Sequence, residues 1–247
     1  MLTDYKHPYV TVDLLLFSVI NEKLSVCLTK RDQEPFEGSF SLPGTFIHEN
    51  ESAEGAVERL LSDKLELKSN IYTEQLQTFS EINRDPRERV ISIAYIGVIP
   101  NEHMVKVPWM KWFSITPSNV GSFKLCPLTN ETDGAMDEEE SFISTNLGFD
   151  HDKMLKIAVD RLRSKLEYTD IIFKFLEDTK NFTSGLLRQK YQAVLGMEVN
   201  RGNFTKYQMN TYIEHGLIKK TGSVSIGRGR PADTYSYIGG DGLWIKY

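Results

Sequence analysis

The chain is poor in several things that would assign it quickly to a class. Its 247 residues include only two cysteines, Cys27 and Cys126. Two thiols in a chain this long do not make a disulfide framework, and Cys27 lies in an apolar run that predicts burial. No apolar stretch approaches the roughly 20 residues that span a bilayer, so no membrane partner is expected. The first residues, Met1-Leu2-Thr3-Asp4-Tyr5-Lys6-His7, lack the charged start and apolar core of a secretion signal. A cytoplasmic location is therefore expected. No Gly/Ser-rich linker and no internal repeat is evident. What remains is an ordinary globular composition, 40% hydrophobic and 26% charged, in a length that suits one large or two modest domains.

The net charge of −5 hides an asymmetry. Residues 182–247 carry nine Lys/Arg against four Asp/Glu, and the preceding residues twenty against thirty. A basic end on an acidic body points to nucleic acid, although charge runs are more often solvated faces.

The pattern along the chain alternates between strand and helix signals. Val10–Val19 and the alternating Leu24–Lys30 predict two neighbouring strands with Asn21-Glu22 in the turn between them. Ser52–Leu67 predicts a helix with Asn50 or Ser52 as its cap and Ala56, Leu60, Leu61 and Leu65 on one face. Gln75–Ser80, the nearly continuous apolar run Val90–Ile99, and Val107–Phe113 predict further strands. Residues 114–146 carry no regular pattern and suggest a surface loop or hairpin. Phe149-Asp150-His151 opens a helix reaching Lys165, with Met154, Leu155, Ala158 and Leu162 at helical spacing. Leu166–Thr169 is the expected junction, giving domains of 1–167 and 168–247.

Beyond the junction, a short helix is expected over Ile171–Glu177. A second runs from a Thr183 cap to Leu195 with Leu186, Leu187, Tyr191 and Val194 inward, and Gly196 ends it. A third runs from an Asn200 cap through Arg201 to His215 with Phe204, Met209, Tyr212 and Ile213 inward. A two-stranded ribbon follows, Ser223–Ile226 and Thr234–Tyr237, tipped by Gly227-Arg228-Gly229-Arg230-Pro231. Three helices and an arginine-tipped ribbon predict a winged helix-turn-helix. Side chains at the start of its recognition helix reach base edges in the major groove, which nominates Arg201, Asn203, Lys206 and Tyr207 for double-stranded DNA. Asn203 serves equally well as a local cap. Arg228 and Arg230 suit phosphates or a narrow minor groove, or form a solvated loop.

A second constellation runs from Leu42-Pro43-Gly44-Thr45-Phe46 through Glu51-Ser52 to Arg59-Leu60-Leu61-Ser62-Asp63-Lys64-Leu65-Glu66-Leu67. It resembles the Nudix box, a loop-helix-loop that holds divalent metal against a diphosphate. Registered on that motif, Thr45 stands at the first Gly, Glu51 at the first Glu and Arg59 at the Arg. Leu60, Asp63 and Lys64 stand where three carboxylates belong, and Glu66 replaces the second Gly. Mg²⁺ needs oxygen ligands with carboxylates to offset its charge. Leu60 offers no oxygen, and Lys64 brings a positive charge to the metal position. The expectation is a lost hydrolase site, hence no enzyme, no cofactor and no metal.

Together, the spoiled box and the basic helix-and-ribbon resemble the Nudix-related transcriptional regulators of the NrtR family over nearly the whole chain. Leu42-Pro43-Gly44, Asn83-Arg84-Asp85-Pro86-Arg87-Glu88-Arg89-Val90, Phe149-Asp150-His151, Gly202-Asn203-Phe204 and Gly227–Pro231 carry the resemblance. It implies an α+β chain: a Nudix-type α/β/α sandwich that senses a small molecule, followed by a winged helix that binds operator DNA, usually as a homodimer and as a repressor. Effectors in such proteins include ADP-ribose, other nucleotides and pentoses such as arabinose. Gly202 and Thr205 depart from the often basic recognition helix, and the segment around 118–142 is longer than expected. For the effector, Arg84, Arg87 and Arg89 beside Asp85-Pro86 form a dense cationic loop, and Arg31 is another candidate. Arginine forks suit phosphate, carboxylate or sugar hydroxyls, but equally pair with neighbouring acids. Arg59 and Glu51 read first as a structural pair within the box and second as ligand contacts. Two other functions compete: an active Nudix hydrolase of a nucleoside-diphosphate derivative, and a protein-interaction module that binds no DNA.

Overall fold

A computed structural model of the chain describes residues 6–67, 71–101, 107–118, 121–128, 142–225 and 231–239. Packing divides it into two compact units. One comprises Met1–Phe17, Ser25–Val98 and His103–Ala158, the other Ser18–Leu24, Ile99–Glu102 and Val159–Tyr247.

A mixed sheet dominates the first unit. Its strands are β1 (Tyr9–Ile20), β2 (Lys23–Lys30), β3 (Phe40–Ser41), β4 (Gly44–Phe46), β5 (Tyr72–Phe79), β6 (Val90–Val98), β7 (Met110–Pro117), β8 (Phe123–Pro127) and β9 (Phe142–Ile143). They lie in the order β5-β6-β1-β2-β7-β8-β9, with β3 added to β2 and β4 to β1. β1 pairs with β6 in parallel and with β4 antiparallel. Being central, β1 is buried on both faces from Val12 onward, which explains its mostly apolar sequence. Asn21 and Glu22 both have positive φ, 48° and 59°, as a two-residue hairpin turn between twisted strands requires.

One expectation is corrected and another narrowed. The strand placed at Val107–Phe113 starts later, at Met110, because Val107–Trp109 form the turn that feeds it. Over the described part of residues 114–146 the hairpin alternative holds and the plain loop does not, β7 pairing antiparallel with β8. β8 and β9 extend the sheet there, since Phe123 and Leu125 alternate inward on β8. Residues 129–141 lie outside the described residues.

The box helix is α1 (Ala53–Arg59), continued by a π-helical turn, Leu60–Lys64. Ser52 caps it by accepting from the Gly55 N–H, satisfying one orphan donor of the first turn. Ala56, Leu60, Leu61 and Leu65 are all buried, as their spacing predicts. α2 (His151–Lys165) buries Met154, Leu155, Ala158 and Leu162 completely.

The second unit holds a 3-10 helix (Ile171–Phe175), α3 (Ser184–Leu195), and a helical run built of α4 (Arg201–Asn203), a π-helical stretch (Phe204–Met209) and α5 (Asn210–Glu214). A three-stranded sheet, ordered β10-β12-β11, joins β10 (Phe182–Thr183), β11 (Ile218–Val224) and β12 (Ala232–Tyr237). Thr183 caps α3, and Gly196 ends it at φ 78°. Phe173 stacks on Tyr237 at 4.5 Å and meets Tyr212 edge-on at 5.1 Å, anchoring the core.

Three details of this unit depart from expectation. The first helix is a 3-10 turn, and the ribbon starts at Ile218 rather than Ser223, with β10 added as a third strand. Ile213 is 45% exposed instead of inward, while Thr211 is buried. The π-helical stretch inserts extra backbone between Phe204 and Met209, so α5 leaves the 3.6-residue phase that predicted its inner face.

Candidate functional site

The first unit holds a cavity of about 280 Å³, near the lower end of the ~300–1,000 Å³ usual for small-molecule sites. Its walls come from β1 and β2, the β4 loop, the loop before β6, and the start of α2. Four cations reach it: Arg31, Lys64, Arg84 and Arg87. Two carboxylates line it, Asp13 and Asp85, together with His151 and the Phe149 ring.

Each charged group is held differently. Arg84 is almost wholly buried and grips Asp150 with two hydrogen bonds, Nη2 to Oδ1 at 2.7 Å and Nε to Oδ2 at 3.1 Å. Its Nη2 also lies 3.6 Å from Asp13. Arg87 forks onto Asp85 at 2.7 and 3.0 Å but leaves about half its side chain exposed. Burial opposes ionisation of Asp85, yet the hydrogen bonds from Arg87 outweigh it and lower its pKa. Arg31 donates to the carbonyls of Pro35 and Gln33. The Phe149 ring lies within cation–π reach of two guanidiniums, 4.8 Å from Arg31 and 5.4 Å from Arg87.

His151 completes the wall. Its Nδ1 accepts the Leu42 N–H at 2.9 Å, which leaves the proton on Nε2, 3.8 Å from Asp13 Oδ1. Burial lowers its pKa despite Asp13 and Asp150, so the ring stays neutral near pH 7. Asp13 also accepts from Ser92 at 2.5 Å. Gly44 is obligatory here, since a Cβ would sit 2.3 Å from Asp13 Oδ1. The close approach falls on Gly44, one residue before the Thr45 that the motif register places at the Gly.

The box itself is a structural clasp. Arg59 binds Glu51 at 2.6 and 3.0 Å, and also reaches Thr45 Oγ1 and the Phe46 carbonyl. The Arg59 hydrogen bonds hold the Glu51 pKa down to about 2. Leu60 is fully buried in the core. Asp63 is exposed and accepts from Ser62. Lys64 Nζ donates to the Gly44 carbonyl at 2.9 Å. Glu66 adopts φ 53° where the motif has its second Gly, so the left-handed turn outlives the residue that usually permits it. Among the described residues, no three His, Cys, Asp or Glu side chains converge as a metal site. A neutral Leu60, an outward Asp63 and a cationic Lys64 do not fit the divalent ion that the box implies.

Of the residues expected to bind an effector, the fold brings Arg31, Arg84 and Arg87 to one cavity. Arg89 does not line it. Its guanidinium donates to the Ser80, Glu81 and Val90 carbonyls and stitches the loop instead. Glu51 and Arg59 lie behind Thr45 and Phe46 rather than on the wall. Sequence reasoning missed Asp13, Asp150 and His151. Asp13 left a usable signal, because it is the lone charge in the twelve residues of β1.

In the second unit, Arg201, Asn203, Lys206 and Tyr207 all face solvent on the helical run, opposite the buried Phe204 and Met209. Asn200, not Asn203, is the cap: its side chain accepts the Asn203 N–H at 3.1 Å. That frees the Asn203 amide. Arg188 braces the preceding turn through Gln192 and the Val199 carbonyl. Arg228 and Arg230 lie outside the described residues.

No protein-family model matches the chain. It is 24% identical over 241 residues to the ADPR responsive transcriptional repressor NtrR of Acinetobacter baylyi, covering 95% of this chain and 84% of that protein. It superposes on Shewanella oneidensis NrtR complexed with a 27mer DNA at a TM-score of 0.68 and 27% identity, covering 92% of this chain and 93% of that one. Over nearly its whole length the chain is similar to Nudix-related regulators. A shorter match links the chain to the ADP-ribose pyrophosphatase of Methanocaldococcus jannaschii, 38% identical over 92 residues, covering 37% of this chain and 52% of that protein. Among the described residues, no helix is long and apolar enough to cross a membrane.

Proposed function

We propose that the chain is a repressor that binds operator DNA and is controlled by a small anionic or polyhydroxylated ligand, with ADP-ribose the first candidate and other nucleotides or pentoses next. The observation that carries this reading is the solvent-facing row Arg201, Asn203, Lys206 and Tyr207 on a helix whose opposite face is core. Arg and Asn are the side chains that read guanine and adenine with two hydrogen bonds. Residues 168–247 act as a winged helix-turn-helix, with Arg228 and Arg230 assigned to its wing from sequence. Two copies contact half-sites about one helical turn, or a multiple of it, apart. That role belongs to the cytoplasm.

Residues 1–167 sense the ligand. Arg31 and Arg87 offer it oriented guanidiniums, and Arg84 positions Asp150 and Asp13. Arg89, Glu51 and Arg59 support the loops that shape the cavity. This unit does not hydrolyse its ligand, because the box lacks the carboxylates for a metal. Likeness to a pyrophosphatase over part of the chain favours the competing hydrolase reading, and the donor set opposes it.

Binding of the full chain to labelled DNA from the flank of its own gene tests the proposal. The expected result is sequence-specific binding that ADP-ribose weakens, with no ADP-ribose consumed in Mg²⁺ or Mn²⁺. Equal binding to random DNA would reject the regulator. Turnover at an ordinary rate of roughly 1 s⁻¹ or more would restore the enzyme.

A further inference from the structure

The cavity has a charge pattern that its own pairs do not explain. Arg84 and Arg87 are matched by Asp150 and Asp85. Lys64 and Arg31 are not matched. Among the described residues neither forms an ion pair with a carboxylate, and both hydrogen-bond only backbone carbonyls. An ammonium has three donors. One of those on Lys64 is spent on the Gly44 carbonyl, and the others remain for whatever enters the cavity that Lys64 lines.

The position of Lys64 gives this excess a meaning. It is the last residue of the π-helical turn, on the loop-helix-loop that resembles a metal-and-diphosphate clamp. The turn has lost its metal chemistry in a consistent way. Leu60 has joined the core, Asp63 points to solvent, and Lys64 is latched onto the β4 loop at Gly44. That latch holds the ammonium beside Thr45 and within the same cavity as Arg31 and Arg87. Arg59, held by Glu51, backs the loop from behind.

We propose that Lys64 replaces the divalent ion, its ammonium supplying the fixed positive charge against a diphosphate group so that the cavity binds that group without metal. The proposal rests on the ligand-binding reading of the cavity and deepens it by naming the chemistry of one subsite. Lys64 contacts the phosphoryl oxygens, while Arg31 and Arg87, beside Phe149, complete the anion site. Such charge-assisted hydrogen bonds need no co-ligand, and a fixed cation at the box would repel a metal.

Calorimetric titration of the full chain with inorganic pyrophosphate and, separately, with ADP-ribose tests this, each in excess EDTA and again in Mg²⁺. The expected result is binding of both ligands in EDTA, unchanged or weakened by Mg²⁺. Lys64→Met should weaken both by about tenfold or more, the loss expected for one hydrogen bond to a charged group. Lys64→Arg should recover most of the affinity. Lys64 is exposed, and an unchanged melting temperature of the ligand-free Lys64→Met protein checks that the fold is intact. A requirement for Mg²⁺, no pyrophosphate binding in EDTA, or equal affinity of Lys64→Met and wild type would overturn the proposal. Metal-free binding of both ligands without any effect on DNA affinity would leave Lys64 in its role and remove the regulatory reading instead.

Discussion

The cavity of the sheet unit and the exposed face of the helical run use positive charge in opposite ways. In the sheet unit the cations are locked: Arg84 into Asp150, Arg87 into Asp85, Arg59 into Glu51, with Arg31 pinned to carbonyls and to the Phe149 face. In the helical unit Arg201 and Lys206 stand in solvent, and among the described residues neither has a carboxylate partner. Fixed guanidiniums in a recess recognise a small ligand of one shape, because their orientation costs nothing further when it arrives. Exposed cations on a helix suit a polyanion, whose phosphates are many and whose affinity comes largely from released counterions. The difference teaches that net charge alone does not separate a sensor from a DNA reader. The partners of each charge do.

The largest expected effect breaks the locked side. Arg84→Ala leaves the half-buried Asp150 without its partner and leaves the buried Asp13 to Ser92 and His151, and should cost about 3 kcal/mol of stability in urea unfolding. A loss under about 1 kcal/mol would mean that Arg84 is held for the ligand rather than for the fold.

The second effect sharpens the exposed side. Asn203→Ala should relax base preference at one operator position by about 1–3 kcal/mol in competition binding. Lys206→Ala should weaken binding to all sequences alike and make the salt slope shallower by about one unit. Both variants should keep the ligand-induced thermal shift of the wild type. Loss of that shift would abolish the division of labour between the units.

A smaller effect tests how the exposed side is presented. Asn200→Ala removes the cap of the helical run and should destabilise by about 1 kcal/mol. Asn200→Asp should retain most of that stability, since its carboxylate can also accept the Asn203 N–H.

The smallest is an acid effect on the clasp. Glu51 has its pKa held at about 2 in the folded state, well below an ordinary glutamate. A depressed folded pKa contributes stability that is present above the unfolded value and lost as pH falls toward about 2. Melting temperatures of wild type and Glu51→Gln should therefore converge over that acid range and be furthest apart near neutrality.

Much of this was legible from residue order. Burial of Ala56, Leu60, Leu61 and Leu65, the Ser52 and Thr183 caps, and the helix of Met154, Leu155, Ala158 and Leu162 follow from local periodicity and capping chemistry. So does the spoiled box, because Leu60 and Lys64 cannot do a carboxylate's work in any fold. Local patterns failed where backbone left its usual period. The π-helical stretch turned Ile213 outward, and residues 123–127 became a strand because the sheet offered β7 as a partner.

Sequence by itself determined the missing carboxylates at Leu60 and Lys64 and the excess of cations in the last residues, since each depends on residue type and position. Only the tertiary structure decided which cations meet. Arg31, Lys64, Arg84 and Arg87 come from four separate segments, and no local rule places them around one cavity. Long-range pairing does so. β1 lies between β6 and β2, β4 closes on β1, and Asp150 and His151 at the start of α2 reach back to Arg84 and Leu42. The same pairing removed Arg89, three residues past Asp85-Pro86, by turning its guanidinium onto the carbonyls of its own loop.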